Sequence, residues 1–158
     1  MGLLDEPITY IGLDIVPGCI EFCELAFAEN DNYQFVHLDV YNGRYNRNGT
    51  IAPQQAVFPL DDASVDVAIA SSLFTHLGTL DVARHYMDEI CRVLKSGGQF
   101  FNSWFRSPPN EVSEAESRTA YREIDIREML AGRFTMRYSA RGETTAPHDQ
   151  WAIVAVKK

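Results

Sequence analysis

A chain of 158 residues, 46% hydrophobic and 23% charged, is enough for one domain with one sizeable core. Its formal charge of −8 excludes a broad phosphate-binding surface, because nucleic-acid affinity rests on clustered Lys and Arg, and here the basic residues are scattered. No apolar run is long enough to span a bilayer and no charged-then-apolar leader opens the chain, so a small-molecule or protein partner is expected, without nucleic acid or membrane.

In chain order, residues 8–14 (ITYIGLD) are β-branched and aromatic and read as a strand ending on Asp14. Pro17 suits the first turn of a helix through CIEFCELAFAEN, with Ile20, Cys23, Leu25 and Phe27 as a rough apolar face. QFVHLDV is a second strand with a second acid, Asp39, at its end. Residues 41–57 have no period and form a long loop, a class that is more often functional than average. VDVAIAS (65–71) is a small apolar run of the kind buried on both faces. Leu80 to Leu94 repeats apolar residues at helical spacing and stops at KSGG, where Gly97 suits a left-handed cap. QFFNSWF (99–105) is another strand, followed by a polar loop at 106–118. DIREMLAGRF is a short helix, and FTMRYSARG with QWAIVAVKK makes a closing antiparallel hairpin. Strands alternating with helices, then a hairpin, predict an α/β sandwich with a mainly parallel sheet.

Cys19, Cys23 and Cys91 each sit in an apolar helical pattern. Cys19 and Cys23 are one turn apart, but no second Cys or His pair matches them, so buried free thiols are expected over a zinc site. Reduced thiols suit the cytoplasm.

Four segments, "YIGLDIVPGCIEFC", "FVHLDVYNGRYN", "FPLDDASVDVAIASSLFTHL" and "EICRVLKSGGQFFNSWF", stand in an order and spacing that resembles the class I S-adenosylmethionine-dependent methyltransferases. The resemblance runs over nearly the whole chain and implies a Rossmann-like three-layer sandwich with an antiparallel C-terminal hairpin. It implies S-adenosylmethionine as cofactor and methyl transfer to a small molecule. By position it assigns Asp14 to the ribose hydroxyls and Ile15 to the side of the adenine. Asp39 falls where a carboxylate meets the adenine amino group, and Val40 where a backbone N–H meets the ring. Ser71, Ser72 and Leu73 fall at the methionine end of the cofactor, facing the substrate. His76, after Thr75 in "FTHL", is the candidate base or substrate contact.

Each assignment has a plainer counterpart. Asp14 could serve only as a helix N-terminal acid favoured by the dipole. Asp39 could cap the following turn, Ser71 and Ser72 could bond to local backbone, and His76 could orient its loop. His37 alternates with core residues and reads as structural. Tyr41, Arg44 and Tyr45 could line a substrate mouth or an exposed turn.

One expected part is missing from the pattern. The family rests the methionine portion of its cofactor on a glycine-rich turn after a first strand, where glycines allow close approach and a helix N-terminus meets the carboxylate. This sequence has no G-x-G, and MGLLDEPIT is too short for a strand, turn and helix, which take about 30 residues or more as part of a βαβ unit. Residues 1–158 are therefore expected to form a single truncated methyltransferase-like domain lacking the usual first strand and helix. Two consequences are expected. Activity is weakened or lost, which leaves a non-catalytic module that binds a protein partner as the alternative. The sheet edges left without the missing strand promote self-association into a homo-oligomer. A phosphoacceptor receiver domain is a poor match, since Asp14 is followed by Ile15 rather than a second acid, and QFFNSWF ends in Arg106 rather than Lys. A nicotinamide dehydrogenase would equally need the absent glycine fingerprint.

Overall fold

Strand β1 (Tyr10–Asp14) is joined by helix α1 (Pro17–Ala26) to strand β2 (Tyr33–His37), which lies parallel to it from Tyr10↔Tyr33 to Asp14↔His37. The computed structural model describes residues 8–107, 118–142 and 149–158, so most of the loop read at 106–118, and residues 1–7, lie outside the described residues. The chain forms two compact units, Met1–Ala52 and Pro53–Lys158.

In the first unit Pro17 fixes φ where the helix begins, and the Phe27 N–H donates to the Cys23 carbonyl where it ends. Phe27 leans on Tyr33 and Phe35, with ring centroids 5.4 and 5.8 Å apart, and Tyr10 meets the same two rings. These aromatic pairs tie the helix exit to the two strands. The helix buries Ile20, whereas Leu25, read as part of its apolar face, is exposed, and so is Phe22. Cys19 is likewise exposed, and the three cysteines are free thiols.

The second unit is a five-stranded mixed sheet. β3 (Val65–Ala70) runs parallel to β4 (Leu94–Arg106), and β7 (Asp149–Lys157) lies antiparallel between β4 and β6 (Phe134–Gly142). The β6–β7 hairpin is the one expected from two apolar runs without a helix between them. A two-residue strand β5 (Ala120–Tyr121) adds to β4 in parallel; nothing in so short a stretch marks it as a strand. Helix α2 (Leu80–Val93) starts at Thr79, whose side-chain oxygen accepts the Val82 N–H at 3.3 Å, and it buries Val82, Ala83, Tyr86, Met87, Ile90 and Val93. That stripe is the expected helical repeat. Gly97 does have a left-handed φ of +81°, which favours glycine, but it lies within β4 and does not cap α2, whose C-cap is Leu94 in an extended conformation. The strand begins earlier than QFFNSWF, because Leu94 already pairs with Val65. Helix α3 (Glu123–Leu130) completes the unit, burying Ile126, Met129 and Leu130.

Aromatic side chains fill the core of the second unit. Phe74 stacks on Trp104 with centroids 3.9 Å apart, and Trp104 meets Tyr121 edge-on at 5.2 Å. Phe74, Trp104, Tyr121 and Trp151 are all buried. β3 departs from expectation: Val67 is 48% and Ile69 72% exposed, and Ala70 is the buried residue of the strand. The apolar run is real, but β4 is the strand's ladder partner among the described residues, which makes β3 an edge and leaves its Val67–Ile69 face open. Among the described residues no helix is long and apolar enough to cross a membrane. The whole is a Rossmann-like α/β fold, mostly parallel with an antiparallel close.

Candidate cofactor site

Asp14 stands at the carboxyl end of β1, where open α/β sheets place ligands. Its Oδ1 accepts the Val16 N–H at 2.8 Å, an Asx turn that launches α1, and its main-chain oxygen accepts the Leu38 N–H at 2.8 Å. Its Oδ2 has no hydrogen-bond partner among the described residues, so half of the carboxylate remains available. Ile15 is half-buried, and its carbonyl lies 3.1 Å from His37 Nε2, a bond that gives His37 a structural role.

The second acid is committed elsewhere. Asp39 Oδ2 accepts the Thr50 Oγ1–H at 2.5 Å and the Thr50 N–H at 3.3 Å. The Thr50 hydroxyl bond is the main reason the Asp39 carboxyl titrates below its ordinary value. The Val40 N–H donates to the Leu38 carbonyl at 2.7 Å across a tight turn, and the Val40 carbonyl accepts from Asn46 Nδ2 at 3.1 Å. The carboxylate and the amide that the resemblance assigns to adenine are thus both engaged within the protein.

That engagement comes from the loop following Val40, which is ordered rather than merely long. Tyr41 N–H donates to Ile51 O at 2.8 Å, and Asn42 and Asn46 exchange main-chain bonds of 2.9 and 3.0 Å. Asn42 Oδ1 caps the tip by accepting the N–H groups of Arg44 and Tyr45, each at 3.0 Å. Gly49 closes the loop: a Cβ there would fall 2.5 Å from the Val40 carbonyl carbon and oxygen, so only glycine fits. Tyr41 and Tyr45 are exposed, with the Arg44 guanidinium 5.5 Å from the Tyr45 ring centroid.

In the second unit Ser71, Ser72 and Leu73 follow the carboxyl end of β3. Ser72 has φ +58°, a left-handed conformation that costs a non-glycine residue about 1–2 kcal/mol. It is held there from both sides: its N–H donates to Ser103 Oγ at 2.8 Å and its carbonyl accepts the Thr75 Oγ1–H at 2.6 Å. The next turn, Phe74–His76, is clamped from the far side of the sequence. Thr119 N–H donates to Thr75 O at 2.7 Å, Gly78 N–H donates to Thr119 Oγ1 at 2.8 Å, and Tyr121 O–H donates to Phe74 O at 2.9 Å. His76 is half-buried, its main-chain N–H bonded to Leu73 O at 3.0 Å. Thr119 and Tyr121 were not foreseen, because no local pattern announces a contact made more than 40 residues away.

In the first unit, the Asp14 carboxylate has the chemistry to accept hydrogen bonds from a vicinal diol. The Asp39 and Val40 groups would have to exchange internal bonds to meet a ligand, and no glycine-rich cradle precedes β1 among the described residues.

A family model described as a methyltransferase domain matches residues 2–102. The fold is similar to that of an S-adenosylmethionine-dependent methyltransferase from Methanosarcina mazei, at 15% identity and TM-score 0.67, covering 93% of this chain and 81% of that one. It is also similar to the 1,6-didemethyltoxoflavin-N1-methyltransferase of Burkholderia thailandensis, solved with 1,6-didemethyltoxoflavin and S-adenosylhomocysteine (23% identity, TM-score 0.63, 94% of this chain and 61% of that one). A third likeness is the geranyl diphosphate C-methyltransferase of Streptomyces coelicolor A3(2), at 11% identity and TM-score 0.68, covering 96% of this chain and 63% of that one. With residues 2–102, more than half of the chain, matched by the family model, the chain belongs to the class I S-adenosylmethionine-dependent methyltransferases.

Proposed function

We propose that the chain takes part in S-adenosylmethionine-dependent methyl transfer to a small molecule, and that Asp14 and Ile15 supply its ribose side. The observation that carries this reading is Asp14, at the carboxyl end of β1 with one carboxylate oxygen uncommitted. Asp14 holds the ribose diol and Ile15 lies beside the base. In the second unit, Ser71, Ser72, Leu73 and His76 are the candidates for contacts to the methionine end and the acceptor. When bound, S-adenosylmethionine supplies an activated methyl group on its sulfonium. The protein's part is to align the acceptor and keep water away, so the Ser72 turn, clamped by Ser103 and Thr75, matters more than a dedicated base.

The cradle for the methionine end is not among the described residues, and Asp39 and Val40 are engaged internally. That engagement favours a second reading, a non-catalytic module that keeps the fold and binds a protein partner. Calorimetric titration with S-adenosylhomocysteine separates the two. The first reading predicts micromolar binding that Asp14→Ala weakens by about 30-fold or more, the scale of losing charge-assisted hydrogen bonds to a carboxylate. Absence of binding at millimolar ligand would overturn the first.

A further inference from the structure

We propose that the loop at residues 41–50 binds a small aromatic oxyanion, a planar ring bearing a phosphate or carboxylate group, through Arg44, Arg47 and Tyr45. The inference rests on the first unit alone and stands apart from the reading of Asp14.

Charge is the first observation. Residues 40–60 hold Arg44 and Arg47 and no Asp or Glu, so this stretch is positive within a chain of formal charge −8. Arg92, Arg122 and Arg133 each meet a carboxylate. Arg44 and Arg47 have none within ion-pair distance among the described residues; their contacts are a ring and a carbonyl. They are not kept apart either. Arg47 Nε–H donates to Gly43 O at 2.7 Å, which folds its side chain back toward the residue preceding Arg44. Two like charges drawn to one tip repel each other, and an anion between them relieves that repulsion.

The ring supplies the second half of the ligand's description. The Arg44 guanidinium lies 5.5 Å from the Tyr45 ring centroid, and both Tyr45 and Tyr41 are exposed. A guanidinium stacked on a ring still offers its N–H edge to an oxyanion in bidentate fashion, and the ring's other face can take a second aromatic. Two arginines are too few to hold a polyanion, so a small ligand is the fit.

The frame behind these side chains is set before any ligand arrives. Asn42 and Asn46 are buried, and Asn42 Oδ1 fixes the main chain of Arg44 and Tyr45. A ligand therefore does not have to order the loop, which removes a large cost of binding. Tyr and Arg displayed on Asn and Gly is also the composition that recognition loops use. A turn that only connects needs the Asn and Gly; it needs neither two exposed rings nor two unneutralised cations. The loop leaves the carboxyl end of β2, the end at which open α/β sheets take ligands.

Amide chemical shifts of the isotope-labelled whole chain test this, without S-adenosylhomocysteine, with phenyl phosphate, benzoate and inorganic phosphate as probes. Saturable shifts are expected at residues 41–47 with phenyl phosphate, weakened by added sodium chloride. The tighter of phenyl phosphate and benzoate identifies the acidic group. Inorganic phosphate, lacking the ring, should bind about threefold or more weakly than phenyl phosphate. Arg44→Gln and Arg47→Gln should each weaken phenyl phosphate by about tenfold, and Tyr45→Leu should reduce it to the level of inorganic phosphate. Arg137→Gln, at an exposed arginine of the second unit, should change nothing. These are exposed side chains, and unchanged amide shifts outside the loop verify the fold. Three results would overturn the proposal: no saturable shift at residues 41–47 with either aromatic probe at millimolar concentration, equal affinity for inorganic and phenyl phosphate, or binding indifferent to Arg44→Gln and Arg47→Gln.

Discussion

Trp104→Ala should destabilise the chain by about 4 kcal/mol, within the range for emptying a buried indole site. Trp104 is fully buried on β4, stacked against Phe74 at 3.9 Å and edge-on to Tyr121 at 5.2 Å. Its Nε1–H donates to Asn102 Oδ1, so the substitution also strands a buried amide oxygen. The effect reaches the candidate site because Phe74 opens the turn that carries Thr75 and His76. With one wall of its slot gone, Phe74 loosens, and the Tyr121 bond to its carbonyl becomes the remaining clamp on that residue. Urea denaturation should show the lower midpoint, and the amides of residues 74–76 should exchange faster than those of α2. Trp104→Phe, which keeps an aromatic wall, should recover more than half of the loss. A change below about 1 kcal/mol for Trp104→Ala would mean the core does not depend on this stack.

Arg92→Met is the second large effect, expected at about 3 kcal/mol, in the range for removing one partner of a largely buried ion pair. Arg92 clips the segment before β3 onto α2. Its Nε and one terminal nitrogen reach the two Glu89 oxygens, each at 2.8 Å, and the guanidinium also donates to Phe58 O at 2.9 Å, Leu60 O at 2.8 Å and Asp62 at 2.7 Å. Glu89 in turn accepts the Phe58 N–H at 2.8 Å. Methionine keeps the aliphatic stem in place and removes every donor, leaving Glu89 charged and mostly buried.

The same pair sets a pH dependence. The Arg92 hydrogen bonds, foremost, hold the Glu89 carboxyl below its ordinary value. A depressed folded-state value stabilises above the unfolded value of about 4.3, and the contribution is lost as pH falls through the folded one. The gap between the parent chain and Arg92→Met should therefore be widest near neutral pH and should narrow on acidification as Glu89 takes up a proton. Midpoints of urea denaturation at neutral and at acid pH measure it. A gap independent of pH would show that Arg92 acts through its carbonyl bonds to Phe58 and Leu60 and not through Glu89.

The residues also explain how much could be read without coordinates. α2 was legible because its apolar repeat is strict, and the β6–β7 hairpin because two apolar runs stand without a helix between them. Asp14 was legible as a strand-end acid because a strand that stops on an acid before Pro17 leaves few local alternatives. Asp39 looked equivalent, and what distinguishes it is Thr50, brought back by a loop whose geometry depends on Asn42, Asn46 and Gly49. The composition of that loop marks turns, but it does not say which acid the turns will consume. β3 shows the opposite error. Its hydrophobicity suggests burial, yet burial needs a covering partner, and partners are decided by the rest of the fold. The clamp on the Ser72–Gly78 turn was beyond reach for the same reason, since Thr119 precedes and Tyr121 ends a two-residue strand with no local signature.

The central claim is that Asp14 still meets a nucleoside cofactor through its uncommitted oxygen. The most direct measurement is residue-resolved: amide chemical shifts of the isotope-labelled chain during titration with S-adenosylhomocysteine. Saturable shifts are expected at Asp14, Ile15 and Val16, all with one midpoint, and lost in Asp14→Ala. A spectrum that does not move at those residues, or moves identically in Asp14→Ala, would contradict the account.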